Sequence, residues 1–169
     1  ATYLRVYLKA TDGKLYWEQD NGAGGAGFSL ASVTASWTAG TWYIVTLSLT
    51  DVPAQRIIVN GTVETTAASA AVITPSGGNI FIGASAAAGT DGFVGTISWV
   101  VIGVGATATV ALTTAEETDL AKGVPPATAK VQYLYLMDEG LGTSCANRGD
   151  GAGGAATLDT APTWQFGRV

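Results

Sequence analysis

Glu18 and Asp20 come closest to a catalytic spacing. Two apart on an extended segment, their carboxylates share one strand face. A pair of carboxylates set across a sugar is what glycoside hydrolysis requires. Asn21, Gly22 and Ala23 then dissolve the strand into a glycine loop, so both are expected to be solvated edge residues. Asp138 and Glu139 are adjacent and point to opposite faces of a strand, which prevents joint action. The chain has no histidine, which removes Ser-His-Asp triads, histidine zinc sites and imidazole acid–base work together. Cys145 therefore has no histidine to activate it. As the one cysteine it cannot form an intramolecular disulfide, and burial as a small apolar residue is the expectation. The residues point to a protein that is not an enzyme. Tyr3, Tyr7, Tyr16, Trp17, Tyr133 and Tyr135 supply aromatic surface, and Tyr16 with Trp17 is the candidate pair for stacking on a glycan, although such residues are also ordinary strand formers.

The elements that would position these groups are strands. Residues 3–9 alternate cleanly, with Leu4, Val6 and Leu8 on one face and Tyr3, Arg5, Tyr7 and Lys9 on the other. Asp12-Gly13 reads as a tight hairpin turn, with Leu15 to Glu18 returning as the partner strand. Residues 41–50 form a β-branched and aromatic strand that Pro53 ends, and Arg56 to Val59 leads into Asn60-Gly61, a strong hairpin signal. Asn60, Gly61 and Thr62 also fit a glycosylation acceptor, but the turn already explains the Asn-Gly pair. Residues 79–83, 93–102 and 130–137 are further strands, with short segments at 155–166. Thr113 with Glu116 three residues later is a capping box, and Gly123 and Pro125 end the helix, which predicts one short helix over 114–121 that clips onto a β domain. The loops at 21–26 and 150–155 nearly repeat each other, each followed by a short strand and a Trp (Trp37 and Trp164), a single echo in a chain rich in Gly and Ala. Many strands, close turns and one helix predict an all-β antiparallel sandwich.

At 169 residues and 17.1 kDa the chain has the size of one domain, large enough for a real core. Charged residues make up only 12%, about half the usual share, which suits a tightly packed β structure with an uncharged polar exterior and equally a surface largely covered by neighbours. A net charge of −5 argues against nucleic acid as a partner. No apolar run approaches the ~18 residues of a membrane crossing, so membrane insertion is not expected. Ala1 in place of an initiator Met leads to the expectation of a processed chain or a portion of a longer product.

The order of motifs resembles the laminin G-like, concanavalin A-like jelly-roll domains. Trp42 to Thr50, then Ile57 to Gly61, then Ile80 to Gly83 look like successive strands, Phe93-Val94-Gly95-Thr96-Ile97 like the closing sheet segment, and Leu112 to Gly123 like the exit helix. The resemblance covers residues 41–123. Leu134 to Thr143, Asn147, the glycines at 149–154, Leu158 and Thr163 to Gly167 look like the way such a domain begins, yet here they follow the helix. The expected organisation is a sandwich over 1–129, with 130–169 supplying strands that complete it or complete a neighbouring subunit. On the second account Tyr133, Tyr135, Met137 and Trp164 are the assembly residues. A tail that starts a second domain is the remaining account. The resemblance brings the three-acid Glu-x-Asp-x-x-Glu pattern of related glucanases into view, and Glu18 and Asp20 supply only its first two positions. It also implies calcium, held by loop oxygens, with Asp12, Asp91 and Asp138 as the candidate ligands, although a turn-forming Asp before Gly is the commoner explanation at Asp12 and Asp91. Two functions fit. The first is a structural subunit that self-assembles or decorates another lattice, at a virion surface or in an extracellular filament. The second is a glycan-binding module.

Overall fold

The first hairpin shows how the alternation is used. In the computed structural model, which describes residues 3–20, 27–50, 54–67, 82–83, 93–102, 112–125, 131, 133–137, 144–149 and 155–157, β1 (Tyr3–Leu8) pairs antiparallel with β2 (Leu15–Asp20), Tyr7 opposite Tyr16 and Arg5 opposite Glu18. Gly13 turns the chain at φ +69°, its N–H donating to the Lys9 carbonyl. β2 pairs in turn with β3 (Phe28–Ala31), completing a three-stranded sheet. Along β2 every second residue is buried: Leu15, Trp17 and Gln19 face inward, while Tyr16 and Glu18 face out.

A second three-stranded sheet joins β4 (Val45–Thr50), β5 (Ala54–Val59) and β6 (Thr62–Ala67). Asn60 and Gly61 both take positive φ, +49° and +79°, as a two-residue hairpin turn demands. The Asn60 Oδ1 accepts the Ile44 N–H at 2.9 Å, which ties the turn to β4. Gly61 has a second duty: a Cβ there would stand 2.9 Å from the Ala121 Cβ. The inner faces of both sheets meet in one core of Leu15, Trp17, Leu30, Ile57 and Val59, with Phe28, Trp37, Tyr43, Val45 and Leu47 around it. This is an antiparallel β-sandwich.

β5 is buried on both faces, Ile57 wholly and Ile58 at 1% exposed. The helix α1 (Thr114–Leu120) accounts for the second face: Glu117 and Leu120, one turn apart and both buried, come from its inward side. Arg56 on β5 donates from Nη2 to Glu117 Oε1 at 2.5 Å. Small Thr46 and Ser48, buried on the neighbouring strand, share that face of the sheet with Arg56 and Ile58. The capping box at Thr113 and Glu116 is formed in both directions. The helix covers a sheet face, a more central position than a clip.

The chain divides into two compact units, 1–78 with 107–125 and 79–106 with 126–169. Residues 79–106 group with the tail in the second unit. In the second unit β7 (Val100–Ile102) pairs antiparallel with β8 (Tyr133–Tyr135), Val101 opposite Leu134. β9 (Ser144–Cys145) pairs with β10 (Ala156–Thr157). The tail strand thus finds a partner in this same chain. Both expected strands here are shorter than their alternation suggested: within 93–102 and 133–137 only three residues each join the ladder. The Phe93 N–H bonds instead to the Gly83 carbonyl at 2.7 Å.

Candidate functional site

The outer face of β1–β2–β3 gathers the chemistry-bearing side chains. Because Arg5 lies opposite Glu18, its Nε and Nη2 both reach the same carboxylate oxygen, at 3.1 and 2.8 Å. The other Glu18 oxygen accepts from the Ser29 hydroxyl at 2.9 Å. Partial burial pushes the Glu18 carboxyl upward, but hydrogen bonds from Arg5, Ser29 and Tyr7 outweigh it and hold the group below the usual range. A glycosidase acid needs the opposite shift. Asp20 closes β2 opposite Tyr3. Glu18 is a structural anion that ties three strands together.

Beside this cluster Tyr7 and Tyr16 stack with centroids 5.6 Å apart and planes 20° from parallel. The Arg5 guanidinium lies 4.6 Å from the Tyr7 ring centre and the Lys9 ammonium 4.8 Å from that of Tyr16. Each ring therefore already has an aromatic neighbour and a cation. Trp17 corrects the expectation of a Tyr16–Trp17 stacking pair. It is only 4% exposed and packs edge-to-face on Phe28 at 5.1 Å, because adjacent strand residues face opposite ways. Tyr16 remains on the outer face and Trp17 belongs to the core.

Asp12 is the one calcium candidate within the described residues. Its Oδ1 accepts the Lys14 N–H at 3.0 Å and its Oδ2 the Tyr16 hydroxyl at 2.7 Å. The Lys14 N–H above all, then the Tyr16 hydroxyl, keeps this carboxyl below its ordinary value, and the shared proton pushes the Tyr16 phenol up. Both oxygens stabilise the turn, and calcium wants six or more oxygens. Asp12 does not fit a calcium ligand set. Among the described residues no three His, Cys, Asp or Glu side chains gather as a metal group. Asp91, Asp138 and Trp164 lie outside the described residues, as does most of each glycine-rich loop.

Of the expected assembly residues, Tyr135 is buried at 8% exposed and stacks on half-buried Tyr133 at 6.3 Å. Tyr135 is thus core of its own unit, which corrects its assignment to an exchanged surface. Met137 is half-buried with φ +54°. Cys145 is wholly buried, as a small apolar residue should be.

Two clusters escaped the sequence. A bulge in β6 leaves Glu64 out of the ladder, since Ile57 faces Thr65 and Ile58 faces Val63. Its carboxylate accepts the Val33 and Thr34 N–H groups at 2.9 and 3.0 Å and the Thr34 hydroxyl. The second is the Arg56–Glu117 pair. Both span long separations that no local pattern encodes.

The sandwich, its Asn-Gly hairpin and the helix-covered sheet are the frame against which known families compare. Residues 1–106 match the laminin G family model described as the concanavalin A-like lectin/glucanases superfamily. The chain belongs to that superfamily. The match starts at residue 1, so it takes in β1–β3 along with the 41–106 part of the motif resemblance, and it stops short of α1 and the tail. No curated protein and no solved structure matches the chain. Among the described residues no helix is long and apolar enough to cross a membrane.

Proposed function

We propose that this laminin G-like module is a non-enzymatic structural subunit, which assembles with its own copies or onto another lattice at a virion surface or in an extracellular filament. One observation carries the proposal. On the core face of the first sheet, where β2 and β3 bury Leu15, Trp17 and Leu30, β1 leaves Val6 46% and Leu8 41% exposed. Apolar side chains at the margin of a sandwich favour a covering neighbour. The groups that would do chemistry are occupied instead: Glu18 by Arg5 and Ser29, Asp12 by its turn. A charged fraction of 12% supports the same reading. Light scattering after size exclusion tests it. Concentration-dependent association supports assembly, and a monomer at millimolar concentration that also fails to bind any lattice counts against it. Glycan-array binding lost in Tyr16→Ala would instead favour the lectin-like function of the same superfamily.

A further inference from the structure

We propose that two copies of the chain pair antiparallel along the outer edge of β1, with Val6 on the two-fold axis, which joins their first sheets into one. The inference rests on the assembly reading and names its surface and register.

The hydrogen-bond phase comes first. The Lys9 N–H donates across the hairpin to the Lys14 carbonyl at 2.9 Å. Backbone groups alternate sides along a strand, so residues 5 and 7 bond towards β2 while 4, 6 and 8 turn theirs outward. Among the described residues β1 pairs with β2 alone. Among the described residues no strand lies along its other edge, and the backbone groups there belong to the same residues as the half-exposed Val6 and Leu8 side chains.

The sequence then selects a register. With Val6 opposite Val6 of the second copy, Leu4 faces Leu8, Arg5 faces Tyr7 and Tyr3 faces Lys9. Every cation meets an aromatic residue and every apolar residue an apolar one. Centring the axis on Arg5 sets two guanidiniums against each other, and centring it on Tyr7 sets Arg5 against Lys9. Like charges directly opposite are destabilising. Centring on Leu4 or Leu8 shortens the overlap to three residues. The Val6 register alone has full overlap and no charge conflict, and Arg5 keeps its bond to Glu18 on its own β2. Cations over tyrosine already occur twice on this face, so the second copy extends an arrangement that one copy begins.

The test uses the full chain and three variants. At the axis a hydrogen-bonded pair holds its Cα atoms about 5.5 Å apart, inside the range of about 4.4–6.8 Å that a disulfide spans. Val6→Cys should therefore link to itself on mild oxidation, and Leu8→Cys, which faces position 4, should not. The natural Cys145 is wholly buried and stays out of the reaction. Val6→Pro removes an outward N–H, a change that edge strands tolerate. It should leave circular dichroism unchanged while raising the dimer dissociation constant at least about tenfold, since two hydrogen bonds cross the axis. Should Val6→Pro disturb the fold, Val6→Lys places two ammonium groups on the axis and must have the same effect on association. Association that survives both variants, with no Val6→Cys link, overturns this surface and leaves assembly through another face standing. A parent chain that stays monomeric to millimolar concentration overturns this pairing, and it overturns the assembly reading as well only where the chain also binds no other lattice.

Discussion

Removing the Glu117 carboxylate should expose how α1 is held. Glu117→Ala leaves Arg56 on β5 with its charge facing a cavity, and the Arg56 Nε already lacks an acceptor. Stranding one member of a buried ion pair costs about 3–5 kcal/mol. The Arg56 side chain keeps 24% of its surface exposed against 6% for Glu117, so part of the stranded charge rehydrates and the expected loss is about 2–3 kcal/mol. For a chain of this size that lowers the thermal midpoint by about 4–12 °C. The double change Arg56→Met with Glu117→Leu should restore most of the stability, because well-packed apolar replacements of a buried pair are often neutral. Urea denaturation followed by circular dichroism measures all three proteins. A loss below about 1 kcal/mol in Glu117→Ala, or a double variant no better than the single one, would refute the claim that this pair anchors the helix to the sheet.

Gly13→Ala should be worse, by more than about 3 kcal/mol, since its Cβ would lie 2.2 Å from the Ala35 carbonyl oxygen at a φ of +69°; a folded variant with an unchanged midpoint would count against the turn geometry. Thr113→Ala should cost about 1 kcal/mol through the lost cap, read in the same urea titration. Tyrosine absorbance against pH should spread to both sides of 10: Tyr43, whose oxygen accepts the Thr38 N–H, ionises below it, while Tyr16, donating to Asp12, ionises above it. A raised phenol value in the fold means that the Tyr16 contribution to stability is complete below pH 10 and is lost as pH climbs from there through the folded value; Asp12→Asn should bring the Tyr16 transition back down, and an unmoved transition would disprove the bond. Deleting 130–169 takes β8 from β7 and leaves the edge of Val100–Ile102 bare, so aggregation or loss of protection at those amides is expected in hydrogen exchange, and a soluble, fully protected truncation would contradict it.

The parts of this fold visible in the sequence are those whose cause is local. Asn60-Gly61 and the Thr113–Glu116 box appear as expected because a turn and a cap are settled within four residues. In β2 the alternation that sets Leu15, Trp17 and Gln19 apart from Tyr16 and Glu18 already forbids Tyr16 and Trp17 from sharing a face. The short strand after the 21–26 loop is β3, four residues from Phe28 to Ala31. Residues 93–102 and 133–137 alternate well beyond the three residues that pair, since alternation reports two different faces and not the presence of a neighbouring strand. The Glu18 cluster depends on cross-strand register, and Arg56 meets Glu117 across 61 positions. Only the folded chain brings such groups together.

The burial of Cys145 gives the second unit a built-in clock. Its thiol is sealed in the native state, with none of its surface exposed, and the chain holds no other. A thiol reagent can react only when 144–145 opens, so its rate measures how often that opening occurs, as amide exchange does for a backbone. Labelling in increasing urea would then separate local breathing, which is insensitive to denaturant, from the cooperative loss of the unit, which is not. The sandwich of the first unit contributes no signal to this reading. One sulfur atom thus allows the two halves of a continuous polypeptide to be timed apart without adding a probe.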